Sequence, residues 1–377
     1  MSTWLGRVAL VFMGLFAALA ISEIFIRRTF DIYRCHDALG WTFAPGKTGL
    51  KMSAAREFRH RVRINDAGLN DEPRSLEKPE GTFRILILGD SMMAAVQVDR
   101  EDSFSQKLER ELDRLAGAAS RIEIVNAGID GYGTAQALLF LRTLGWRYEP
   151  DLVLQSVYLG NDVADNYRYA GDSNHYLAGR CGRPYFELRE GRLEAVDGGR
   201  VLKHRGGLLD RLLRNSVLYS NFVPPPLEGA SGQRFSQTQV FERDPPQGVR
   251  EAWSLTEALL LGVHREVTGR GARHVVVITP GKPEVGLAVQ QGSLAAQEGW
   301  DFAGPRERLV EFLGAEDIAH VDLTPSLLDR IRSGDHPYYD VDAHWNETGH
   351  AIVSETLRAW LVSHCTSAGL PLAGCGG

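Results

Sequence analysis

The sequence lacks an excess of positive charge, since 42 Lys and Arg residues stand against 48 Asp and Glu, a formal net charge of −6. Nucleic-acid binding requires basic patches that neutralise phosphates, so this balance argues against a nucleic-acid partner. The sequence also lacks internal repeats and long low-complexity tracts, which argues against a repeat architecture. With 44% hydrophobic and 24% charged residues, the chain can nevertheless build a large core.

Cysteine is scarce, at 4 residues in the whole chain. Cys35, Cys181, Cys365 and Cys375 have no Cys-x-x-Cys spacing and lie far from any His-x-x-x-His pair, so no zinc site is predicted. We likewise expect no other metal and no cofactor. An extracytoplasmic location would permit Cys365 to pair with Cys375, and Cys35 with Cys181. Four unpaired thiols are the alternative.

The one long hydrophobic run extends from Val8 to Ile26 and is apolar except for Ser22 and Glu23. Its length of roughly 19 residues suits a single transmembrane helix. The stretch Ala18-Leu19-Ala20 also resembles a signal-peptidase site, so a cleaved signal is an alternative. A buried core helix is disfavoured, because the run is terminal and flanked by arginines. We therefore expect residues 1–30 to anchor the chain or direct its export.

The orientation of this segment is open on sequence grounds. Arg27, Arg28 and Arg34 outnumber Arg7, which by the positive-inside rule would place the following domain in the cytoplasm. Short N-terminal anchors commonly act as export signals, however. We therefore expect a single pass through the inner membrane with the domain outside, in the periplasm.

From about Gly81, short β-rich runs alternate with amphipathic helical runs, which predicts a parallel sheet covered on both faces. The expected fold is a three-layer α/β/α sandwich of flavodoxin-like type. The predicted strands are Arg84–Leu88, Ile122–Asn126, Leu152–Tyr158, His274–Thr279 and His320–Asp322. The predicted helices are Asp102–Leu115, Thr134–Arg147, Val249–Thr268, Pro305–Leu313 and Thr348–Ser363.

This pattern divides the chain into a juxtamembrane segment, 31–80, and an α/β domain, 81–377. Residues 163–248 interrupt the alternation and are read as an insertion at the carboxyl edge of the sheet, where open α/β sheets bind ligands. Tyrosines in the insertion could form an aromatic platform for a sugar, or could simply pack it onto the sheet. The residues concerned, together with a nearby tryptophan, are Trp146, Tyr167, Tyr169, Tyr176 and Tyr185.

Three loops that follow predicted strands carry candidate catalytic groups. Gly89-Asp90-Ser91 presents a serine at the end of the first core strand. The glycine-rich run 126–134 follows the second strand and can direct a backbone N–H into a site. Gly160-Asn161-Asp162 follows the third strand, and Asn161 could donate its amide hydrogens to an oxyanion. Each motif alone is also ordinary turn chemistry.

A fourth block, Asp340 to His350, precedes the last predicted helix. A carboxylate at Asp342 can hold Nδ1–H of His344, which leaves Nε2 to accept a proton from a serine. His336 and His350 lie near the same block and are weaker candidates. The four blocks follow one another in the order Ser, Gly, Asn, His.

In these blocks the sequence resembles the SGNH hydrolase family, also called GDSL-type esterases, over about Arg84 to Ser363. The resemblance implies that Ser91 is the nucleophile and His344 its base. It also implies an oxyanion hole formed by the Ser91 N–H, the Gly131 N–H and Asn161. The family fold is the sandwich expected from the strand and helix pattern.

The last block departs from the family pattern, because Val341 replaces the usual aspartate three residues before the histidine, and Asp342 is the better-placed substitute. Its Asp-x-His-Trp form resembles SGNH-like enzymes that acetylate alginate and related bacterial exopolysaccharides. The juxtamembrane segment resembles anchored bacterial members of the family.

The expected function is hydrolysis of a small ester or O-acylated saccharide through an acyl-Ser91 intermediate. The alternatives are an O-acetyltransferase acting on an extracellular polysaccharide and a non-catalytic envelope binding protein.

Overall fold

Five parallel strands form the centre of the molecule in the computed structural model, which describes residues 2–117, 120–170, 175–196, 213, 215–222, 234–286, 299–372 and 375. The central strands are β5 (Thr82–Gly89), β6 (Arg121–Gly128), β7 (Leu152–Tyr158), β10 (Arg273–Thr279) and β11 (His320–Asp322). The other strands in the described residues form two-stranded ribbons: β1 (Tyr33–His36), β2 (Gly40–Phe43), β3 (Thr48–Met52), β4 (Arg59–Arg63), β8 (Phe186–Arg189) and β9 (Arg192–Ala195).

The α-helices in the described residues are α1 (Ser2–Thr29), α2 (Ser91–Ala94), α3 (Phe104–Ala116), α4 (Thr134–Thr143), α5 (Asp162–Asp165), α6 (His175–Cys181), α7 (Val217–Phe222), α8 (Gln247–Gly269), α9 (Gly304–Ala315), α10 (Thr324–Arg332), α11 (Glu347–Ser363) and α12 (Cys365–Ala368). Short 3₁₀ helices cover Arg100–Asp102, Gly145–Tyr148, Gln237–Phe241 and Pro283–Val285.

The central sheet has the order β6-β5-β7-β10-β11, with every neighbouring pair parallel. In chain order of the core strands this is 2-1-3-4-5, the flavodoxin-like arrangement, so the predicted fold class is confirmed. The order reverses between β5 and β7. At such a switch point the loops after the two strands diverge and leave a crevice at the carboxyl edge.

Alternating side chains of each strand bury themselves on opposite faces of the sheet. In β5, Ile85 and Ile87 join the cluster packed by α3, α10 and α11, whereas Leu86 and Leu88 join the cluster packed by α4, α8 and α9. All four are at most 1% exposed. Burial on both faces explains why the strand is apolar throughout, and it gives the three layers.

The predicted strands coincide with the observed ones to within two residues at each end. One helix prediction is wrong at its end: the run Thr134–Arg147 is helical only to Thr143. Leu144 leaves the helical conformation at φ −130°, and a 3₁₀ turn follows. Helix α10, with Pro325 in its first turn, was not predicted.

Helix α1 is long and apolar enough to cross a membrane, and the part that would do so is not buried in the protein. A signal sequence near the N-terminus meets the same criteria.

The segment that follows, 31–80, packs onto the domain through two antiparallel ribbons, β1-β2 and β3-β4. Trp41 and Phe43 of β2 are fully buried, and both belong to the hydrophobic core that also contains Leu86 of the central sheet.

Both possible disulfides are formed. Cys35 in β1 bonds to Cys181 at the end of α6, a separation of 146 residues, and Cys365 bonds to Cys375. The four cysteines are therefore paired and not free thiols. The first bond ties the juxtamembrane segment to residues 175–181 of the insertion.

Candidate active site

Ser91 lies where the chain leaves β5 and begins α2, at the switch point of the sheet. Asp90 precedes it, and its buried side chain accepts a hydrogen bond from the Met92 N–H at 3.0 Å. Helix α2 lies close against β6 because residue 128 is glycine: a Cβ there would lie 2.4 Å from the backbone nitrogen of Ala94. The turn therefore fixes the serine at the carboxyl edge of the sheet.

Ser91, His344 and Asp342 form a continuous hydrogen-bonded chain. Oγ of Ser91 lies 2.8 Å from Nε2 of His344, and Nδ1 of His344 lies 2.5 Å from Oδ1 of Asp342. The same carboxylate oxygen accepts the backbone N–H of His344 at 3.0 Å. This is the geometry in which an imidazole can remove the serine proton while the carboxylate fixes the ring orientation.

The structure brings Asp342, not Asp340, to the imidazole. Asp340 is exposed, and its backbone carbonyl accepts a hydrogen bond from Nζ of Lys282 at 2.9 Å. The replacement of the usual aspartate by Val341 is thereby accommodated, since a carboxylate two residues before His344 reaches Nδ1.

His350 belongs to the core. It is 1% exposed, its Nδ1 accepts the Phe104 N–H at 3.3 Å, and its ring stacks on that of Phe104 at 6.0 Å. Burial lowers the pKa of His350 to about 3, so the ring is neutral. It serves as a buried acceptor within the packing of α3 against α11.

The charges around the triad favour an ionised Asp342. Burial by itself would raise the pKa of this carboxyl, but the hydrogen bond and charge of His344, together with nearby Lys282, lower it overall. The pKa of Lys282 is also lowered by burial, against the attraction of three surrounding carboxylates. Asp342 is therefore suited to stabilise an imidazolium on His344.

Two other buried carboxyl groups, Asp90 and Asp162, lie close enough to interact with each other. Burial raises the pKa of Asp90 to about 7, and it raises that of Asp162 well above its usual range. The charge of Asp90 further raises the pKa of Asp162. Because two carboxylates cannot both ionise cheaply in this environment, we infer that at least one carries a proton at neutral pH.

Gly131 and Asn161 lie on the loops after β6 and β7 and line the same cavity as Ser91 and His344. Gly131 has φ +74°, a conformation that favours glycine. Asn161 is the N-cap residue of α5, and its buried Oδ1 has no hydrogen-bond partner within the described residues. The loops after β5, β6 and β7 and the loop before α11 thus bring the predicted nucleophile, base, acid and both additional oxyanion groups together.

Residues outside the sheet hold the Gly131 loop in position. Nη2 of Arg183 donates to the Gly131 carbonyl at 2.8 Å, and indole Nε1 of Trp41 donates to the Asp130 carbonyl at 2.8 Å. The guanidinium of Arg183 lies 4.9 Å from the Trp41 ring. With both carbonyls engaged, the orientation of the peptide group between Asp130 and Gly131 is set.

The cavity at Ser91 has a volume of about 380 Å³ and an aromatic wall. Phe241 packs on Phe302 with ring centroids 5.4 Å apart, and Trp300 stacks on Phe302 at 5.8 Å. Gln237, Thr238 and Lys282 add polar groups to the lining. A site of this kind can bind a small ester with an apolar or ring-shaped part.

The sequence did not single out this wall. The five aromatic residues considered for a sugar platform are not among those that line the cavity. Tyr167, for example, packs on Phe235, and the indole N–H of Trp146 donates a hydrogen bond to Glu266. Lys282 could have been found, because it follows β10 just as Ser91 follows β5. Trp300 and Phe302 carried no comparable sequence signal.

No protein-family model matches the chain, and no curated protein matches it. Solved structures do. A lipolytic protein of the G-D-S-L family from Desulfitobacterium hafniense is 11% identical with a TM-score of 0.39, over 73% of this chain and 98% of that one. The acetyl xylan esterase AlAXEase is 11% identical with a TM-score of 0.41, over 74% and 100%. A two-domain esterase active on acetylated mannans is 11% identical with a TM-score of 0.41, over 78% and 52%.

Proposed function

We propose that this protein is a serine esterase of the SGNH type that cleaves O-acyl esters through an acyl-Ser91 intermediate. The observation that carries the proposal is the chain of contacts from Ser91 Oγ to His344 Nε2 at 2.8 Å and from His344 Nδ1 to Asp342 at 2.5 Å. The four sequence blocks that suggested the family meet around this chain of contacts.

The proposed reaction begins when Ser91 Oγ attacks the ester carbonyl carbon and its proton passes to His344 Nε2. The Ser91 N–H, the Gly131 N–H and the Asn161 amide stabilise the tetrahedral oxyanion. The intermediate collapses as His344 protonates the departing alcohol oxygen, which leaves the acyl group on Ser91. A water molecule then attacks the acyl carbon as its proton passes to His344, and His344 returns that proton to Ser91 Oγ as the bond to the acyl group breaks and the carboxylic acid leaves.

The proposed substrate is a small ester, most simply an acetyl ester on a saccharide. The aromatic wall formed by Phe241, Trp300 and Phe302 supports a ring-shaped alcohol part, since sugar rings pack their C–H faces on aromatic side chains. Gln237 and Thr238 supply hydrogen-bonding groups beside that wall.

The aromatic wall also supports a second candidate function, that of an O-acetyltransferase. Both reactions share the acyl-Ser91 intermediate, and they differ in whether water or a bound sugar hydroxyl attacks it. A sugar held against the aromatic side chains could take the place of water. We favour hydrolysis, because it requires no second binding site.

The deciding experiment supplies the full-length protein in detergent with a chromogenic acetyl ester, with and without oligosaccharide. Free acetate and acetylated sugar are then quantified. We expect acetate as the main product and no product above background with Ser91→Ala. Acetylated sugar as the main product in bulk water would establish the transferase. No turnover of any acetyl ester would leave the binding-protein alternative.

We also propose that α1 anchors the chain in the inner membrane with the domain outside. The two disulfides support this orientation, because such bonds persist in oxidising compartments. Protease added to intact spheroplasts should digest the domain while leaving a cytoplasmic marker intact. Protection of the domain would instead support the cytoplasmic location that the positive-inside rule predicts from the arginines.

A further inference from the structure

The turn between β3 and β4 holds a glutamate against the loop that carries the candidate acid and base. Within this turn, Oγ of Ser53 accepts the Glu57 N–H at 2.7 Å, and the Ser53 N–H donates to the Phe58 carbonyl at 3.3 Å. Arg56 has φ +62°, so the chain reverses sharply just before Glu57. The position of Glu57 is therefore set by the ribbon.

The Glu57 carboxylate binds two consecutive backbone groups of the His344 loop. Its Oε1 accepts the Val341 N–H and its Oε2 accepts the Asp342 N–H, both at 2.8 Å. Hydrogen bonds to an ionised acceptor are stronger than neutral ones, and two in parallel also fix an orientation. Since Asp342 is the residue that holds His344 Nδ1, Glu57 fixes the backbone from which the whole acid–base pair extends.

The same ribbon contacts both sides of the site. Phe58 packs on Tyr339 with ring centroids 4.9 Å apart, next to the His344 loop. On the other side, His60 Nε2 lies 2.7 Å from the Val96 carbonyl, in the segment just after α2. The Tyr339 hydroxyl in turn donates to the Gln97 carbonyl at 2.9 Å. The ribbon therefore links the segment that follows Ser91 to the loop that carries His344.

Glu57 contacts the backbone of this loop, and its hydrogen bonds to the site go to Val341 and Asp342, not to Ser91 or the His344 ring. Lys282 lies within the electrostatic reach of Glu57, Asp340 and Asp342, so the carboxylates are partly compensated. Within the described part of the chain, the contacts of Glu57 support a role in positioning, and none supports a role in proton transfer.

We propose that Glu57 is a positioning residue that holds Asp342 and His344 in line with Ser91, so that the juxtamembrane ribbon β3-β4 is part of the catalytic machinery. This inference rests on the proposed esterase function. It assigns to a segment outside the central sheet the task of setting the Ser91–His344 distance.

The kinetic test compares Glu57→Ala and Glu57→Gln with Glu77→Gln, all as full-length protein in detergent. Glu77 is an exposed glutamate of the same segment and serves as the matched control. We expect Glu57→Ala to lower kcat on an acetyl ester by about 10- to 100-fold with KM within about twofold, because a misplaced base slows chemistry more than binding. Glu57→Gln, which keeps one carbonyl acceptor, should lose less, and Glu77→Gln should match the wild type.

A second measurement does not depend on turnover. The proton shared by His344 Nδ1 and Asp342 should give a strongly downfield ¹H NMR signal, assigned by its loss in His344→Gln. We expect the signal to weaken or shift in Glu57→Ala, less so in Glu57→Gln, and to persist in Ser91→Ala. Because it requires no substrate, it tests Glu57 even if the wild type cleaves no ester, which would count only against the proposed function.

The proposal is overturned if Glu57→Ala keeps the wild-type kcat, or if kcat falls while the downfield signal stays unchanged. A loss confined to KM would also overturn it, since that would make Glu57 a substrate-binding residue. Should Glu57→Ala fail to fold, as judged by circular dichroism, Glu57→Gln carries both measurements, with the same outcomes deciding.

Discussion

The central sheet and the juxtamembrane segment contribute to the site in different ways. The sheet places Ser91, Gly131 and Asn161 by topology, because the loops after β5, β6 and β7 meet at one edge. The juxtamembrane segment supplies no proposed catalytic residue, yet Glu57 and Trp41 hydrogen-bond to the backbone of two of the site loops. Chemistry and positioning are therefore divided between the central sheet and the ribbons that pack outside it.

The largest effect should come from the group that the sheet presents. Ser91→Ala should lower ester turnover by on the order of 10⁴-fold or more while leaving the fold intact, since removing a triad nucleophile removes the covalent route. Initial rates with a chromogenic acetyl ester, alongside circular dichroism, measure this. Turnover at the wild-type rate would contradict the nucleophile assignment.

The second-largest loss of activity should come from removing the carboxylate of Asp342, whose backbone is held by the β3-β4 ribbon. Asp342→Asn should lower kcat by on the order of 10³-fold, because the amide cannot stabilise the correct tautomer and the imidazolium of His344. Asp340→Asn should stay within about twofold of the wild type, since Lys282 contacts the Asp340 backbone carbonyl and not its side chain. The same assay compares both variants. A wild-type rate for Asp342→Asn would move the triad acid to Asp340 or leave a Ser–His pair.

Asn161→Ala should cost about 100-fold in kcat with little change in KM, because an oxyanion donor acts mainly in the transition state. Steady-state kinetics on the acetyl ester separate the two constants. If KM rises while kcat stays unchanged, Asn161 is a substrate-binding residue. The oxyanion hole then consists of the Ser91 and Gly131 N–H groups alone.

The smallest effect on turnover should come from unlinking the outer layer. Replacing Cys35 and Cys181 by serine should lower kcat by about tenfold or less, because that bond ties β1 to α6, two residues before the Arg183 that holds Gly131. The matched pair Cys365→Ser with Cys375→Ser breaks a bond that closes only ten residues near the end of the chain, and it should leave kcat unchanged. Thermal unfolding of both variants, followed with turnover, separates stability from positioning. Equal turnover in both would show that the outer layer keeps its geometry without the bond.

Much of the sheet could be predicted from the sequence, because a strand buried on both faces must be apolar at every position. Residues 85–88 and 275–278 satisfy that requirement and could not serve as surface strands. The loops that follow such strands must meet at one edge, so Ser91, Gly131 and Asn161 could be assigned to one site without coordinates. Local backbone chemistry was less predictable: nothing in the run from Thr134 to Arg147 marked Leu144 as the end of the helix.

Hydrophobic periodicity in the sequence was therefore enough to predict the layered fold, because it acts within a few residues, and the resemblance to the SGNH family supplied the candidate reacting groups. Only the folded chain shows that Glu57 holds the backbone at Asp342, and that Phe241, Trp300 and Phe302 form the wall of the cavity. Glu57 and Asp342 are 285 residues apart in the chain. No local pattern records a contact of that kind, because it exists only once the ribbon and the last loop pack against the same edge of the sheet.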